Sequence, residues 1–166
     1  MSQGRHRIDA DNIDLIVYDF DGVMTDNRVL VLENGKEAVF CNRADGLAIE
    51  KIKNLGIPQI ILSTEKNKVV EVRAKKLGIE VIHGVSDKRS VIIDWCKKRD
   101  CDLDRILYIG NDVNDLEAMK LVGYPIAPQD ASSTVKEIAK AVLNKKGGEG
   151  VIKDLFENML SFDREE

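Results

Sequence analysis

A chain of 166 residues, 43% apolar and 33% charged, is long enough to bury a core of its own and has the balance of a soluble single domain. Its net charge of −4, with Lys and Arg mixed among Asp and Glu, excludes the basic footprint of a nucleic-acid binder. No apolar run approaches membrane-spanning length, Met1 to Asp14 is too polar for a signal peptide, and Cys41, Cys96 and Cys101 lack metal-ligand spacing, so a cytoplasmic protein with reduced thiols and no membrane partner is expected.

Short apolar runs alternate with helical periods. Leu15-Ile16-Val17-Tyr18 reads as a buried parallel strand, followed at once by Asp19-Phe20-Asp21-Gly22. Val29 to Leu32 and Ala38 to Cys41 flank Glu33-Asn34-Gly35-Lys36, an Asn-Gly hairpin signal. Asp45 is expected to cap a helix that runs to Asn54 and stops at Gly56. Ile57 to Leu62 is the next strand, with Pro58 near its start, and Asn67 to Leu77 an amphipathic helix ended by Gly78. A short strand at Val81 to His83, a helix over Asp87 to Arg99 and a strand at Ile106 to Ile109 follow. A helix over Val113 to Leu121, a strand at Tyr124 to Ala127, a helix opened by Ser133 and a last helix over Val151 to Leu160 complete the chain. The repetition predicts an α/β fold, a doubly wound parallel sheet with one inserted hairpin.

Such sheets bring their strand ends to one crevice. The residues just past successive strands are Asp19 and Asp21, then Ser63 and Thr64, then Lys88 at the next helix start, then Asn111, Asp112 and Asp115. Singly, the hydroxyls read as helix caps, Lys88 as a surface lysine, and the last three as cap and first-turn residues favoured by the helix dipole. Together they fit phosphoryl transfer. A carboxylate attacks phosphorus, a second acid moves the proton, and a lysine, hydroxyls and a cation hold the spreading charge. An oxygen-rich donor set selects Mg²⁺.

These residues resemble the four motifs of the haloacid dehalogenase superfamily of phosphatases, in order and over nearly the whole chain. The resemblance implies one domain over residues 1–166, with a β-hairpin insertion at about 28–42 and a Gly-rich tail and helix at about 147–166. It implies Asp19 as nucleophile, Asp21 as general acid/base, Ser63 and Lys88 as phosphoryl-binding groups, and a metal loop at Gly110-Asn111-Asp112-Val113-Asn114-Asp115, with Asp19, Asp21 and Asn111 or Asp112 around the cation. Neither gap between motifs has room for a cap domain. The chain is therefore similar to the capless 3-deoxy-D-manno-octulosonate 8-phosphate phosphatases and their sialic-acid-type relatives, through Asp19-x-Asp21-Gly22-Val23-x-Thr25-Asp26, Arg43-x-Asp45-Gly46, Arg73 to Gly78, Asp87-Lys88 and Gly147-Gly148-x-Gly150. That likeness implies Mg²⁺, a phosphorylated 2-keto-3-deoxy sugar acid as substrate, and a homotetramer in which a neighbour covers each site. Arg43, Thr64, Glu65, Arg73 and Lys76 would then meet the sugar acid.

The metal loop of that family usually begins Gly-Asp-Asp; here it is Gly110-Asn111-Asp112. With Leu62-Ser63-Thr64-Glu65-Lys66-Asn67, this resembles the phosphatase-like domain of acylneuraminate cytidylyltransferases. A weakly catalytic or non-catalytic oligomerisation module is the alternative implied. A receiver domain shares an Asp, a hydroxyl and a Lys, but expects its phosphoacceptor at a later strand.

Overall fold

The computed structural model describes residues 7–162. A short strand β1 (Ile8–Asp9) leads to β2 (Leu15–Tyr18), after which Phe20–Met24 forms one wide turn. The hairpin of β3 (Leu30–Val31) and β4 (Glu37–Ala38) is followed by α1 (Arg43–Asn54), β5 (Gln59–Leu62), α2 (Val69–Leu77), β6 (Glu80–Ile82), α3 (Lys88–Arg99) and β7 (Ile106–Ile109). A 3-10 turn at Val113–Asp115 runs into α4 (Leu116–Met119), then come β8 (Tyr124–Ala127), α5 (Ser133–Ile138), β9 (Ala141–Val142), α6 (Val151–Asp154) and β10 (Leu160–Ser161).

Six parallel strands form the central sheet in the order β6-β5-β2-β7-β8-β9. The order reverses on either side of β2, so the crevice where such sheets bind ligands opens at the carboxyl end of β2, at Asp19. All residues of β2, β5 and β7 are buried because helices cover both faces. Alternation then divides each strand: Ile16 and Tyr18 join the core under α1, α2 and α6, whereas Leu15 and Val17 join Trp95, Met119 and Val135 under α3, α4 and α5. A polar chain through the core under α1 is closed: Tyr18 Oη donates to Gln59 Oε1 at 2.7 Å, and Gln59 Nε2 to the Ile49 carbonyl at 3.0 Å.

The doubly wound sheet and hairpin match the sequence reading; several boundaries do not. The hairpin ladder is only two residues on each side, Leu30 opposite Ala38 and Val31 opposite Glu37, with an isolated bridge between Thr25 and Cys41. The expected last helix is one turn of α6, then a wider turn over Leu155–Met159 and β10, which pairs in parallel with β1. Residues 163–166 of the expected tail lie outside the described residues.

Asp45 is the clearest correction. Asn42 caps α1, its side chain accepting from Ala44 N at 2.8 Å, while Asp45 turns inward at 3% exposure. Its Oδ1 accepts from Ile152 N at 2.9 Å and Lys153 N at 3.0 Å, so it caps α6 instead of its own helix. Burial pushes its carboxyl up from 3.8 to about 6, against the pull of those two donors and of Arg73. The native state therefore keeps this proton to higher pH than the unfolded chain does, and the group's contribution to stability falls as pH rises from 3.8 through about 6. Asp45→Asn keeps the accepting oxygen without the charge, so its melting temperature should gain on wild type through that window and then run level. Asp45→Ala strands both N–H groups and should cost on the order of 1 kcal/mol below about pH 4, the scale of a lost N-cap, with the deficit narrowing as wild type loses stability toward pH 6. Parallel melting curves for wild type and Asp45→Asn would contradict this account.

Candidate active site

Asp19 follows the last residue of β2 and its backbone N–H continues the sheet, donating to the Ile109 carbonyl at 2.9 Å. The chain then turns through Gly22 at φ +82°, where a side chain would also strike the Asn111 amide; only glycine fits both constraints. The Gly22 N–H and the Asn27 N–H both donate to Thr25 Oγ1, at 3.2 and 3.1 Å, which closes the turn on itself.

Lys88 enters from the first turn of α3, whose N-cap is Asp87. It is 2% exposed, and its Nζ donates to Asp19 Oδ1 and to Asp115 Oδ1, each at 2.7 Å. Burial works to lower its pKa, but the two carboxylates outweigh that and raise it, so the ammonium is firmly charged. Asp115 is wholly buried and saturated: Tyr108 Oη also donates to its Oδ1 at 2.7 Å, and Asn111 N and Asp112 N donate to its Oδ2 at 2.9 and 3.3 Å. Asp115 thus ties the lysine to the backbone of the 110–115 loop. The sequence reading placed it in that loop's acidic cluster facing the pocket; the structure makes it the anchor that joins Lys88 to the loop, with Tyr108 as its second support.

Asp19 is pushed up to about 7 by burial and by Asp115, against the pull of Lys88. Asp21 is raised too, by burial first and then by Glu65 and by Glu37 of β4, with Lys88 opposing. The site holds more carboxylates than cations, so it is short of positive charge. The Asn111 side-chain amide ends 3.0 Å from the Asp21 carbonyl oxygen and 2.9 Å from Asp19 Oδ2. With its nitrogen toward them it donates to both; with its oxygen toward them three oxygens converge, a set suited to a hard cation. Asp112 is engaged otherwise, its Oδ1 accepting from Val113 N at 2.7 Å as the cap of the following turn. Among the described residues no group of three or more His, Cys, Asp or Glu side chains is placed to hold a metal.

Ser63 is buried at the end of β5, where its Oγ accepts from Glu65 N at 3.0 Å and keeps its own O–H to donate. Thr64 lines the cleft of about 240 Å³ over Asp19, with Asp21, Asn27, Asn111, Asp112 and Asn114. Asn114 Nδ2 approaches Thr64 Oγ1 at 3.4 Å and bridges the second and fourth loops. Glu65 is tied down locally, its Oε1 accepting from Lys66 N and Asn67 N, both at 2.7 Å. Arg43, Arg73 and Lys76 are not brought to Asp19 in this chain. They surround a separate cleft of about 430 Å³ with Gly46, Leu47 and Glu50, where Arg73 Nη2 donates to the Asn42 carbonyl at 3.1 Å. Asn27, Asn114, Glu37 and Tyr108 were not among the expected site residues; of these only Asn114 lies within a motif, Gly110 to Asp115.

Comparison with known proteins places this geometry. Residues 9–155 match the family described as haloacid dehalogenase-like hydrolase. The chain is 32% identical to a 3-deoxy-D-manno-octulosonate 8-phosphate phosphatase of Yersinia pestis, over 91% of its own length and 81% of the relative's. Its fold superposes with a TM-score of 0.89 on a HAD-family hydrolase of Streptomyces avermitilis, 42% identical, covering 92% of this chain and 88% of that one. It superposes with a TM-score of 0.86 on the 3-deoxy-D-manno-octulosonate 8-phosphate phosphatase of Moraxella catarrhalis, 30% identical, covering 89% and 86%, in a structure that contains a magnesium ion, a phosphate ion and a KDO molecule. The chain belongs to the haloacid dehalogenase-like hydrolases, is similar within them to the capless octulosonate-phosphate phosphatases, and is an enzyme of phosphatase type.

Proposed function

We propose that the protein hydrolyses the phosphate ester of a phosphorylated 2-keto-3-deoxy sugar acid, 3-deoxy-D-manno-octulosonate 8-phosphate or a sialic-acid-type 9-phosphate, through an aspartyl-phosphate on Asp19. One observation carries the reading: the two oxygens of a buried carboxylate at the sheet's switch point are divided, Oδ1 to Lys88 at 2.7 Å and Oδ2 to the Asn111 amide at 2.9 Å. That is the division a phosphoryl acceptor needs, with a fixed ammonium on one side and room for a cation on the other.

Asp19 attacks phosphorus as the bond to the sugar oxygen breaks, and Asp21 gives its proton to the departing alkoxide. Its raised pKa, caused by burial and the nearby Glu65 and Glu37, suits it to hold that proton. Asp21 then takes a proton from the water that attacks the aspartyl-phosphate, which frees inorganic phosphate and restores both carboxyls. Lys88 stabilises charge on the phosphoryl oxygens without leaving Asp115, and the Ser63 O–H donates to one of them. Mg²⁺ would be held by Asp19 Oδ2, the Asp21 carbonyl and Asn111 Oδ1, where it would neutralise charge on the phosphoryl group.

The sugar acid itself would be met by a second copy. The hairpin stands out with Leu30 56%, Val31 65% and Phe40 75% exposed, apolar surface and a strand edge that an isolated small domain would not leave bare. In a homotetramer built on that hairpin, Arg73 and Lys76 of one copy would face the carboxylate of a substrate held over Asp19 of another. A second reading, an assembly module attached to an acylneuraminate cytidylyltransferase, is favoured by Asn111, whose neutral amide satisfies Asp19 and Asp21 without a cation.

Turnover of 8- and 9-phosphorylated keto-sugar acids tests the proposal directly. Asp19→Asn preserves shape and removes the nucleophile, so turnover should vanish while the melting temperature is kept. Substantial residual hydrolysis by a folded variant would remove Asp19 from its role.

Asn111→Asp adds an anionic ligand and should tighten Mg²⁺ while lowering stability in chelator, since another carboxylate then faces Asp19 and Asp21. Calorimetric Mg²⁺ titrations and melts in EDTA read both effects. Tighter Mg²⁺ with no ester turned over by either form would favour the assembly module.

Arg73→Ala and Lys76→Ala should raise KM for the sugar-acid phosphate and leave hydrolysis of a small uncharged-alcohol phosphate nearly unchanged. Sedimentation should give a tetramer at micromolar concentration. A monomer with full activity on the sugar-acid phosphate would remove the neighbour's part.

A further inference from the structure

The turn that carries Asp19 and Asp21 has a front and a back. In front, Asn111 packs against Gly22 and reaches the Asp21 carbonyl. Behind, the segment 145–148 crosses the same turn as a strap. A Cβ on Gly147 would overlap the Gly22 carbonyl oxygen and lie 2.8 Å from the Thr25 carbonyl oxygen, so the two backbones touch with no room for any side chain. Gly148 N donates to the Val23 carbonyl at 3.1 Å, which fixes the strap to the turn it covers.

The strap is itself held from outside the turn. Gly147 N donates to Asp130 Oδ1 at 2.9 Å, and Gln129 N donates to the Lys145 carbonyl at 2.9 Å, so the loop after β8 grips it at two points. Asn42 Nδ2 reaches the Gly148 carbonyl at 3.4 Å. Asp130 is exposed and makes no hydrogen bond to the residues assigned a chemical role above, but its carboxylate holds Gly147 N.

We infer that Asp130 and Gly147 are positioning residues for the proposed reaction, setting the Asp21 carbonyl oxygen against Asn111 from behind the turn. The physical link is short. The Gly22 carbonyl that meets Gly147 and the Asp21 carbonyl that meets Asn111 lie on two adjacent planar peptides hinged at the Gly22 Cα, which is held at φ +82°. Displacing Gly22 by the room a methyl group needs would swing the Asp21 carbonyl, and Asp21 with it. A misplacement of about 1 Å at a reacting centre costs about 10²-fold in rate.

The inference rests on the proposed Mg²⁺ phosphatase reading for its turnover arm, but its metal arm stands alone. The experiment is a MgCl₂ titration of melting temperature for wild type, Asp130→Ala, Asp130→Asn and Gly147→Ala, with kcat and KM for the phosphate ester measured alongside. Gly147→Ala should lower kcat by about 10²-fold with little change in KM, and shift the Mg²⁺ midpoint upward. Asp130→Ala should shift the midpoint in the same direction by a smaller amount, roughly three- to tenfold, from loss of one hydrogen bond. Asp130→Asn, which keeps an accepting oxygen, should restore the wild-type midpoint to within about twofold. If Gly147→Ala does not fold, Asp130→Ala decides alone. A midpoint for Asp130→Ala equal to wild type, whether or not its melting temperature falls, overturns the inference, as does an Asp130→Asn protein as impaired as Asp130→Ala. Wild type that responds to Mg²⁺ but turns over no ester would defeat the phosphatase reading and leave the midpoints to judge the strap. Wild type that does not respond to Mg²⁺ at all would defeat both.

Discussion

A single ammonium between two buried carboxylates organises this molecule. Lys88 is almost fully removed from water, and an isolated charge there would be prohibitively costly. Asp19 and Asp115, each at 2.7 Å, make it tolerable, and they are themselves tolerable only because Lys88 is there. This mutual dependence joins three separate parts of the chain: the end of β2, the start of α3 and the turn after β7. Since buried ion pairs rarely add net stability over a packed apolar core, the pair is better understood as a device that fixes geometry. Its excess of negative charge favours a cation close by.

The parts of the fold that were legible in the sequence are those dictated by burial on both faces. Leu15–Tyr18, Gln59–Leu62 and Ile106–Ile109 read as strands because helices above and below demand unbroken apolar runs. The site loops were legible for a related reason, since a doubly wound sheet can only deliver the residues after such strands to one rim. The two-residue strands at Ile8–Asp9, Ala141–Val142 and Leu160–Ser161 were not, because two residues carry no period. Asp45 misled for a subtler reason. An acid in the first turn of a helix looks like its cap, and nothing local shows that its oxygen bonds Ile152 across the molecule. Arg43, Arg73 and Lys76 were readable as a basic group but not as a group standing apart from Asp19, because sequence spacing does not show where the faces of α1 and α2 lie relative to the end of β2.

Asn111 shows how one atom type alters the electrostatics of such a centre. A carboxylate in its place would face Asp19 Oδ2 and the Asp21 carbonyl with no donor between them, a cluster stable only around a cation. The amide can present either end. Nitrogen inward, it neutralises the cluster by hydrogen bonds; oxygen inward, it completes a ligand set with one negative charge fewer. The amide therefore lets the site keep its shape without a cation.

The carboxyl-terminal part of the chain serves the same end from the other side. Asp45 holds the start of α6 through Ile152 N and Lys153 N, and Asp154 in α6 accepts from Asn144 N at 2.6 Å, so the ends of the segment 144–153 are tied to α1 and to α6. Between those ties the glycine strap lies against the turn that carries Asp19 and Asp21. A front wall made by the metal loop and a back wall made by the strap leave the turn with one available position, although its own contribution is a few residues and a left-handed glycine. Catalytic loops gain accuracy from rigid support, and here the support comes from residues distant in sequence, Asn111 in front and Gly147 behind. The glycines at 22 and 147 are consequently two sides of one contact. Gly147 lacks a side chain because its backbone meets the Gly22 carbonyl, and Gly22 lacks one because it turns at φ +82° against Asn111.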